Sequence, residues 1–364
     1  MRAIMTTVSP RSQMKRPLVF LTLAAAVVLA VSVRAVDSLV ITRFSDYLDA
    51  FRIQAGIPGL EAVLVSSTDV AWRNGFGLAN VERNIGMRPD TPMQIDGITQ
   101  TLVAALALRC DESGFISLND PASKYMPTSA DGASTLRMLL THTSAGPGGL
   151  TFAYRLDRLA PLAPAISACT ESSFRASMAG LLDRLGMSSS VPGPDAASLS
   201  AGTDGFSAAT IQRYGDTLGQ LAVPYTVDSS RRPSRATFGA TTLTPSSGLV
   251  TTALDLAKFD IALRTGVVMR AETLTAAWTP PVGANGVSLP HGVGWFVQGY
   301  NGEPIVWQFG ESSVSSSMVI VAPRRSLTVI LLANSAGLTQ GLNLAAGDLN
   351  TSPFARVFLT LFVR

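Results

Sequence analysis

Lysine is nearly missing from this sequence: 364 residues contain three, Lys15, Lys124 and Lys258. Chemistry that needs a lysine amine as base or nucleophile has only those positions to use. The residues three places before them are Ser12, Pro121 and Asp255. Only Ser12 to Lys15 spells Ser-x-x-Lys, and it lies ahead of an apolar leader, where the match is coincidental. Histidine is scarcer still, with His142 and His291 alone. Two cysteines, Cys110 and Cys169, added to two imidazoles are too few for a disulfide framework or a zinc site, so no metal or other cofactor is implied. Cys110 falls in an apolar helix and reads as packing. A single bridge to Cys169 in an oxidising compartment stays open. No Gly-x-Ser-x-Gly occurs, which removes the nucleophile elbow of the α/β-hydrolases. Charge is sparse at 15% and hydrophobic residues make up 47%, a composition that buries a large core and is far from that of a disordered chain.

The formal charge of +3 suggests a nucleic-acid partner until the charges are located. Arg2, Arg11, Lys15, Arg16 and Arg34 all precede residue 36 and no acid does, which leaves 23 basic against 25 acidic residues and a net of −2 for the rest. The basic balance belongs to the leader, and no nucleic-acid partner is expected. That leader, "MKRPLVFLTLAAAVVLAVSVRAV", has a basic start, no charge from Pro17 to Val33 and a Val-Arg-Ala end. It predicts export, with signal cleavage at about Ala35, and Met14 is an alternative start. Seventeen apolar residues also approach the length of a membrane span, so an uncleaved anchor is the alternative. The expected organisation is a signal peptide or anchor over 1–35, one domain over 36–350 and an apolar tail over 351–364. The expected location is periplasmic or extracellular, or held at the membrane by the leader.

Along the body, "ITRFSDYLDAFRIQAG" puts Phe44, Tyr47, Leu48 and Phe51 at helical spacing, with Gly56 as the stop. The segments "EAVLVSS" and "VAWRNGFG" read as strands joined by a tight turn. Four more strands close the chain: "GVGWFVQGY", "EPIVWQFG", "SSSMVIVAP" and "SLTVILLANS". Strands from both ends with helical sequence between them predict an α/β (α+β) fold: an antiparallel sheet built from N- and C-terminal strands, flanking helices and an inserted, mainly helical region. The Ser/Gly/Pro-rich stretch from Ser188 to Gly205 reads as a long surface connection. "NLAAGDLNTSPFARVFLTLF" reads as a helix returning to the sheet, then an apolar tail.

Several segments together resemble the serine beta-lactamase and penicillin-binding-protein family, in its class C-like branch with D-alanyl-D-alanine carboxypeptidases and esterases. They are "TPMQIDGITQTLVAALALRCDESGFISLNDPASKYMP", "TLRMLLTHTSAGPGG", "DRLGM", "SSGLVTTALDLAKF", "GVGWFVQ" and "APRRSLTVILLANS", which span roughly residues 44 to 340 in the family's order. The resemblance implies the beta-lactamase/transpeptidase fold. It also implies a serine at the start of the long helix with a lysine three residues on, a Tyr-x-Asn segment and a Lys- or His-x-Gly strand.

Residue by residue, the family's motif is altered. "IDGITQ" places Gly97 at the nucleophile and Gln100 at the lysine. Glycine has no side chain with which to attack a carbonyl, and a glutamine amide takes no proton near pH 7. "FAYRLDRL" keeps the tyrosine as Tyr154 and puts Leu156 at the asparagine. "VWQFGESS" puts Gln308 at the histidine or lysine and keeps the glycine as Gly310. These six residues form the expected vestigial pocket, with no catalytic residue intact. His142, in "LLTHTSAG", matches a structural histidine, and His291 falls at a variable position expected to be exposed. Eleven residues separate the histidine of "HTS", His142, from Tyr154, a short rim that predicts a more open or differently shaped cleft.

Groups of this kind act as a unit, so losing several together argues against ordinary acyl transfer. The expected function is therefore a non-catalytic exported protein that binds a ligand or partner through the inherited cleft, such as a cell-wall peptide or a small ester or amide. The competing expectation is a serine hydrolase with a nucleophile foreign to the family, for which Ser246, Ser312 and Ser313 are candidates.

Overall fold

The computed structural model describes residues 38–363. The export or anchor segment lies outside the described residues. Of the described residues, 38–45 fall in one unit and 46–363 in a second. Helix α1, residues 38–55, ends at Gly56, whose φ of +71° a side chain would resist. In its second half Leu48 is buried, Tyr47 stays half exposed and Phe51 meets Phe354 edge to face at 5.7 Å.

Seven strands make the main sheet: β1 (Gly59–Ser66), β2 (Asp69–Asn80), β3 (Ile85–Gly86), β4 (Phe296–Tyr300), β5 (Glu303–Glu311), β6 (Ser316–Ala322) and β7 (Leu327–Ala333). Their spatial order is β4-β5-β6-β7-β1-β2-β3, antiparallel throughout. The closing pair joins the two ends of the sequence, with Leu60 opposite Ala333 and Ser66 opposite Leu327. This is the predicted architecture.

Between β3 and β4 lie helices α2 (Thr99–Glu112), α3 (Leu136–Leu140), α4 (Leu162–Thr170), α5 (Phe174–Arg184), α6 (Ala208–Leu218), α7 (Ala253–Arg264) and α8 (Ala271–Ala277); α9 (Pro353–Phe362) follows the sheet. Ser and Thr caps start several of them: Thr135 for α3, Ser173 for α5, Ser207 for α6, Thr252 for α7 and Ser352 for α9 each accept a backbone N–H of the first turn. Helix α2 is buried from Thr99 through Leu108, which its sequence "TQTLVAALAL" permits because no charge interrupts it. One core joins α2 and α7 to the inward residues Val63, Val65, Val319, Val321, Ile330 and Leu332 of the sheet.

Two readings change. Cys110 and Cys169 form a disulfide between α2 and α4, with Cα atoms 5.9 Å apart, so Cys110 is a covalent tie as well as a packed residue. The stretch from Ser188 to Gly205 is not simply a surface connection, since Ser190, Val191 and Ala196 are buried and Val191 pairs with Val250. Serine, glycine and proline mark irregular backbone, but apolar side chains set between them still bury. Helix α9 turns Phe354, Ala355, Phe358 and Leu359 inward. Among the described residues no helix is long and apolar enough to cross a membrane.

Candidate functional site

The site begins where α2 begins. A single 3₁₀ turn, Asp96–Ile98, leads into the helix, with Asp96 in the left-handed region at φ +47°. Strand β5 lies directly against this turn. A Cβ on Gly310 would fall 2.2 Å from the Ile95 carbonyl oxygen and 2.4 Å from Ser317 Oγ, and Ser317 Oγ itself donates to Ile95 O at 2.8 Å. Only glycine allows the strand so close. At Gly97 an added Cβ would lie 2.8 Å from Phe309 O, 3.3 Å from Tyr154 Oη and 3.4 Å from Leu156 Cδ1. The fold thus gathers the six residues singled out in the sequence, and the space next to Gly97 is lined by two of them, Tyr154 and Leu156, and by Phe309.

From there a directed chain of hydrogen bonds crosses the site. Arg155 N donates to His142 Nδ1 at 3.0 Å, which fixes the proton on Nε2. His142 Nε2 then donates to Gln100 Oε1 at 2.9 Å, and Gln100 Nε2 donates to Tyr154 Oη at 2.8 Å. Tyr154 Oη passes the sequence on to Gln308 Oε1 at 3.2 Å. Gln308 Nε2 donates to Gly294 O at 3.1 Å and faces His291 Nε2 at 3.2 Å, leaving the His291 proton on Nδ1 for the Gly292 carbonyl at 2.7 Å. Five neutral side chains therefore link a backbone N–H to a backbone carbonyl. Each imidazole lone pair is already accepting a bond, so neither ring is left to take a proton from a nucleophile.

Electrostatics agree with this arrangement. Both histidines are fully buried, with rings in edge contact at 4.7 Å. Burial pushes His142 down to about 3 and holds His291 well below its usual value, where the neighbouring His142 adds to the effect. Burial raises the Tyr154 phenol. Asp96 is pushed up to about 6 by burial, against the opposing hydrogen bond that Ser315 Oγ donates to its Oδ2 at 2.6 Å.

His291 is a correction. It was expected at a variable, exposed position; it is buried and closes the hydrogen-bonded chain, because the segment before β4 folds back and pairs His291 with Phe296. The only sequence signal for it was the scarcity of histidine itself. The short rim after His142 forms a two-stranded hairpin, Thr143–Gly146 with Gly149–Phe152, and Leu150 O accepts Ala284 N at 3.1 Å. Of the serine candidates, Ser312 Oγ accepts Ser315 N at 3.0 Å as a turn cap, Ser246 lies 3.1 Å from Thr244 Oγ1 in another turn, and Ser313 is exposed. Ser315, at the Asp96 carboxylate, was missed because the two are far apart in sequence. Among the described residues no group of histidines, cysteines and acids could hold a metal.

A sheet closed by both chain ends, with a helix starting beneath its Gly310 strand, defines the class. The beta-lactamase family profile matches residues 44–349, and the chain belongs to that family. The chain is 32% identical over 103 residues to the putative penicillin-binding protein PbpX of Bacillus subtilis, 28% of this chain and 25% of that protein. It is also 32% identical over 93 residues to the esterase EstB of Burkholderia gladioli, 24% of each. The matched stretches thus span about a quarter of those relatives. Among solved structures, the octameric penicillin-binding protein homologue of Pyrococcus abyssi superposes with a TM-score of 0.71 at 19% identity, covering 88% of this chain and 77% of that one. A class C beta-lactamase from Rhodobacter sphaeroides gives 0.63 at 17%, covering 87% and 97%. These likenesses establish the fold.

Proposed function

We propose that this chain is an exported, non-catalytic member of the beta-lactamase family that binds a ligand or partner through the inherited cleft. The observation that carries the reading is Gly97. Gly97, in the 3₁₀ turn that leads into α2, has no side chain, and the room a serine Cβ would need is bounded by the Phe309 carbonyl at 2.8 Å. Gln100 supports it, because its amide is committed at both ends to His142 and Tyr154 and offers neither charge nor basicity. The Cys110–Cys169 disulfide suits an oxidising compartment, in keeping with export. Ligands of the kind proposed are cell-wall peptides, sugar-peptide fragments and small esters or amides. A mature N-terminus near Val36 would favour a secreted protein over an anchored one.

The test is turnover of a chromogenic cephalosporin and of a p-nitrophenyl ester by the purified chain. The expected rates equal those of buffer. A rate abolished by one serine substitution would install the second reading, a hydrolase with another nucleophile. That reading draws on the hydrogen bonds linking Ser312, Ser315 and Asp96 beside the start of α2. It is the weaker one because Ser315 is buried and Ser312 serves as a turn cap.

A further inference from the structure

At the far end of α2, about 15 Å from Thr99 along the helix axis, lies a second concave site. A groove of about 360 Å³ runs between the last turns of α2 and helices α4 and α5. It is lined by Arg109, Arg184, Phe115 and the Cys110–Cys169 disulfide, with Ser113 and Thr170 at its sides.

Two arginines line this groove and no carboxylate does. Most arginines of the described chain that stand partly buried are paired: Arg52 with Asp49, Arg158 with Asp131, Arg175 with Asp195, Arg264 with Asp260. Half-buried Arg109 and its exposed groove neighbour Arg184 form no ion pair among the described residues. Glu112, three residues on from Arg109, is taken by Arg270, through the Arg270 backbone N–H at 2.9 Å and its guanidinium at 3.4 Å. Arg109 is half-buried, and burial together with the Arg184 charge lowers its pKa. Folding has therefore set two like charges in one groove, an arrangement that a bound anion would relieve.

The groove also has an apolar part. Phe115 is 71% exposed, the largest exposure among the bulky hydrophobic residues described. Its ring lines the same groove as the two arginines. Ser113, Thr170 and Ser177 spend their hydroxyl protons on backbone carbonyls or on each other, which leaves the guanidiniums as the free donors.

We propose that this groove is a binding site for a small phosphate monoester with an apolar or aromatic substituent, the dianion lying between Arg109 and Arg184 and the substituent on Phe115. Two positive charges match a dianion better than a single carboxylate, and a volume of about 360 Å³ lies within the range of small-ligand sites. The assignment is independent of the chemistry at Gly97, since no residue of the site at Gly97 lines this groove.

The experiment is calorimetric titration of the full chain with phenyl phosphate and, separately, with inorganic phosphate at low ionic strength. Phenyl phosphate should bind with one site. R109Q and R184Q should each weaken it by about tenfold, the loss of one charge-assisted contact. F115S should weaken phenyl phosphate while leaving inorganic phosphate unchanged. Retained folding of each variant is checked by its unfolding transition, and R184Q, whose side chain is exposed, keeps the test clean if R109Q is destabilised. No saturable binding, or binding indifferent to both arginine variants, overturns the proposal. So does binding to phosphatidylglycerol vesicles with no response to phenyl phosphate, which would make the groove a membrane contact.

Discussion

At the scale of the residue, the site is a neutral hydrogen-bonded circuit that runs from one backbone N–H to one backbone carbonyl, and each member can be removed by itself. Gln100→Ala leaves the His142 Nε2–H without an acceptor and Tyr154 Oη without its donor, and these two buried hydrogen bonds left unmade should cost about 2 to 4 kcal/mol of stability. Denaturant unfolding measures it; a loss under half a kilocalorie would show that the circuit contributes little. The histidines give a sharper test because the sequence has only two. A ring whose pKa is pushed down by the fold adds stability that is full above about pH 6.5, its unfolded value, and falls as pH drops, by about 1.4 kcal/mol per unit for each ring. Asp96 runs the other way. Its carboxyl is raised to about 6, so its contribution is full below the unfolded value of about 3.8 and is lost as pH rises through about 6. Buried Glu61, raised by burial, has the same sign as Asp96. Bulk stability mixes these opposed slopes, so the reading must be ring by ring: in NMR neither imidazole should titrate between pH 8 and 5. A midpoint near 6.5 for either ring would contradict the buried, neutral pair.

Register made Gly97, Gln100, Tyr154, Leu156, Gln308 and Gly310 legible in the sequence, because each stands at a fixed offset within a recognisable segment. Nothing local marks His291 or Ser315. Their roles arise from contacts with Gln308 across 17 residues and with Asp96 across 219, and only the folded sheet brings those together.

At the scale of the element, the critical contact is strand β5 against the turn that starts α2. Gly310→Ala would force its Cβ into the Ile95 carbonyl, 2.2 Å away, and backbone on both sides must move. The expected loss is about 2 to 3 kcal/mol, large for one methyl group in an extended strand, where alanine otherwise does no harm. Gly97→Ser meets a smaller obstacle in the Phe309 carbonyl at 2.8 Å and should cost about 1 to 2 kcal/mol. An unchanged or raised melting temperature in Gly310→Ala would mean the strand does not sit where it is described. The disulfide is the other element-scale tie. It closes a separation of 59 residues, and replacing both cysteines by alanine should cost about 4 kcal/mol by loop entropy, to be measured as the drop in unfolding free energy. Strand positions were readable from alternation and turn residues, and α2 from its uninterrupted apolar run. The disulfide was not readable, because two cysteines in sequence carry no information on whether α4 returns to α2. The burial of Val191 escaped for a related reason: its partner Val250 lies on a different segment.

For the molecule as a whole, the sheet is closed by strands from opposite ends of the sequence, so the long segment between β3 and β4 is held at both its ends by the same framework. On the reading proposed above, that framework explains how a site without the family's serine and lysine keeps its shape: the backbone at Gly97 and Gly310 is held by β5, β6 and the turn before α2. The central claim is that this preserved framework carries no nucleophile. Its most direct test is the intact mass of the purified chain after incubation with a reactive penicillin and, separately, with a fluorophosphonate. The account predicts a mass unchanged by either reagent. A stoichiometric adduct with either one would contradict it, and the labelled residue would identify the nucleophile.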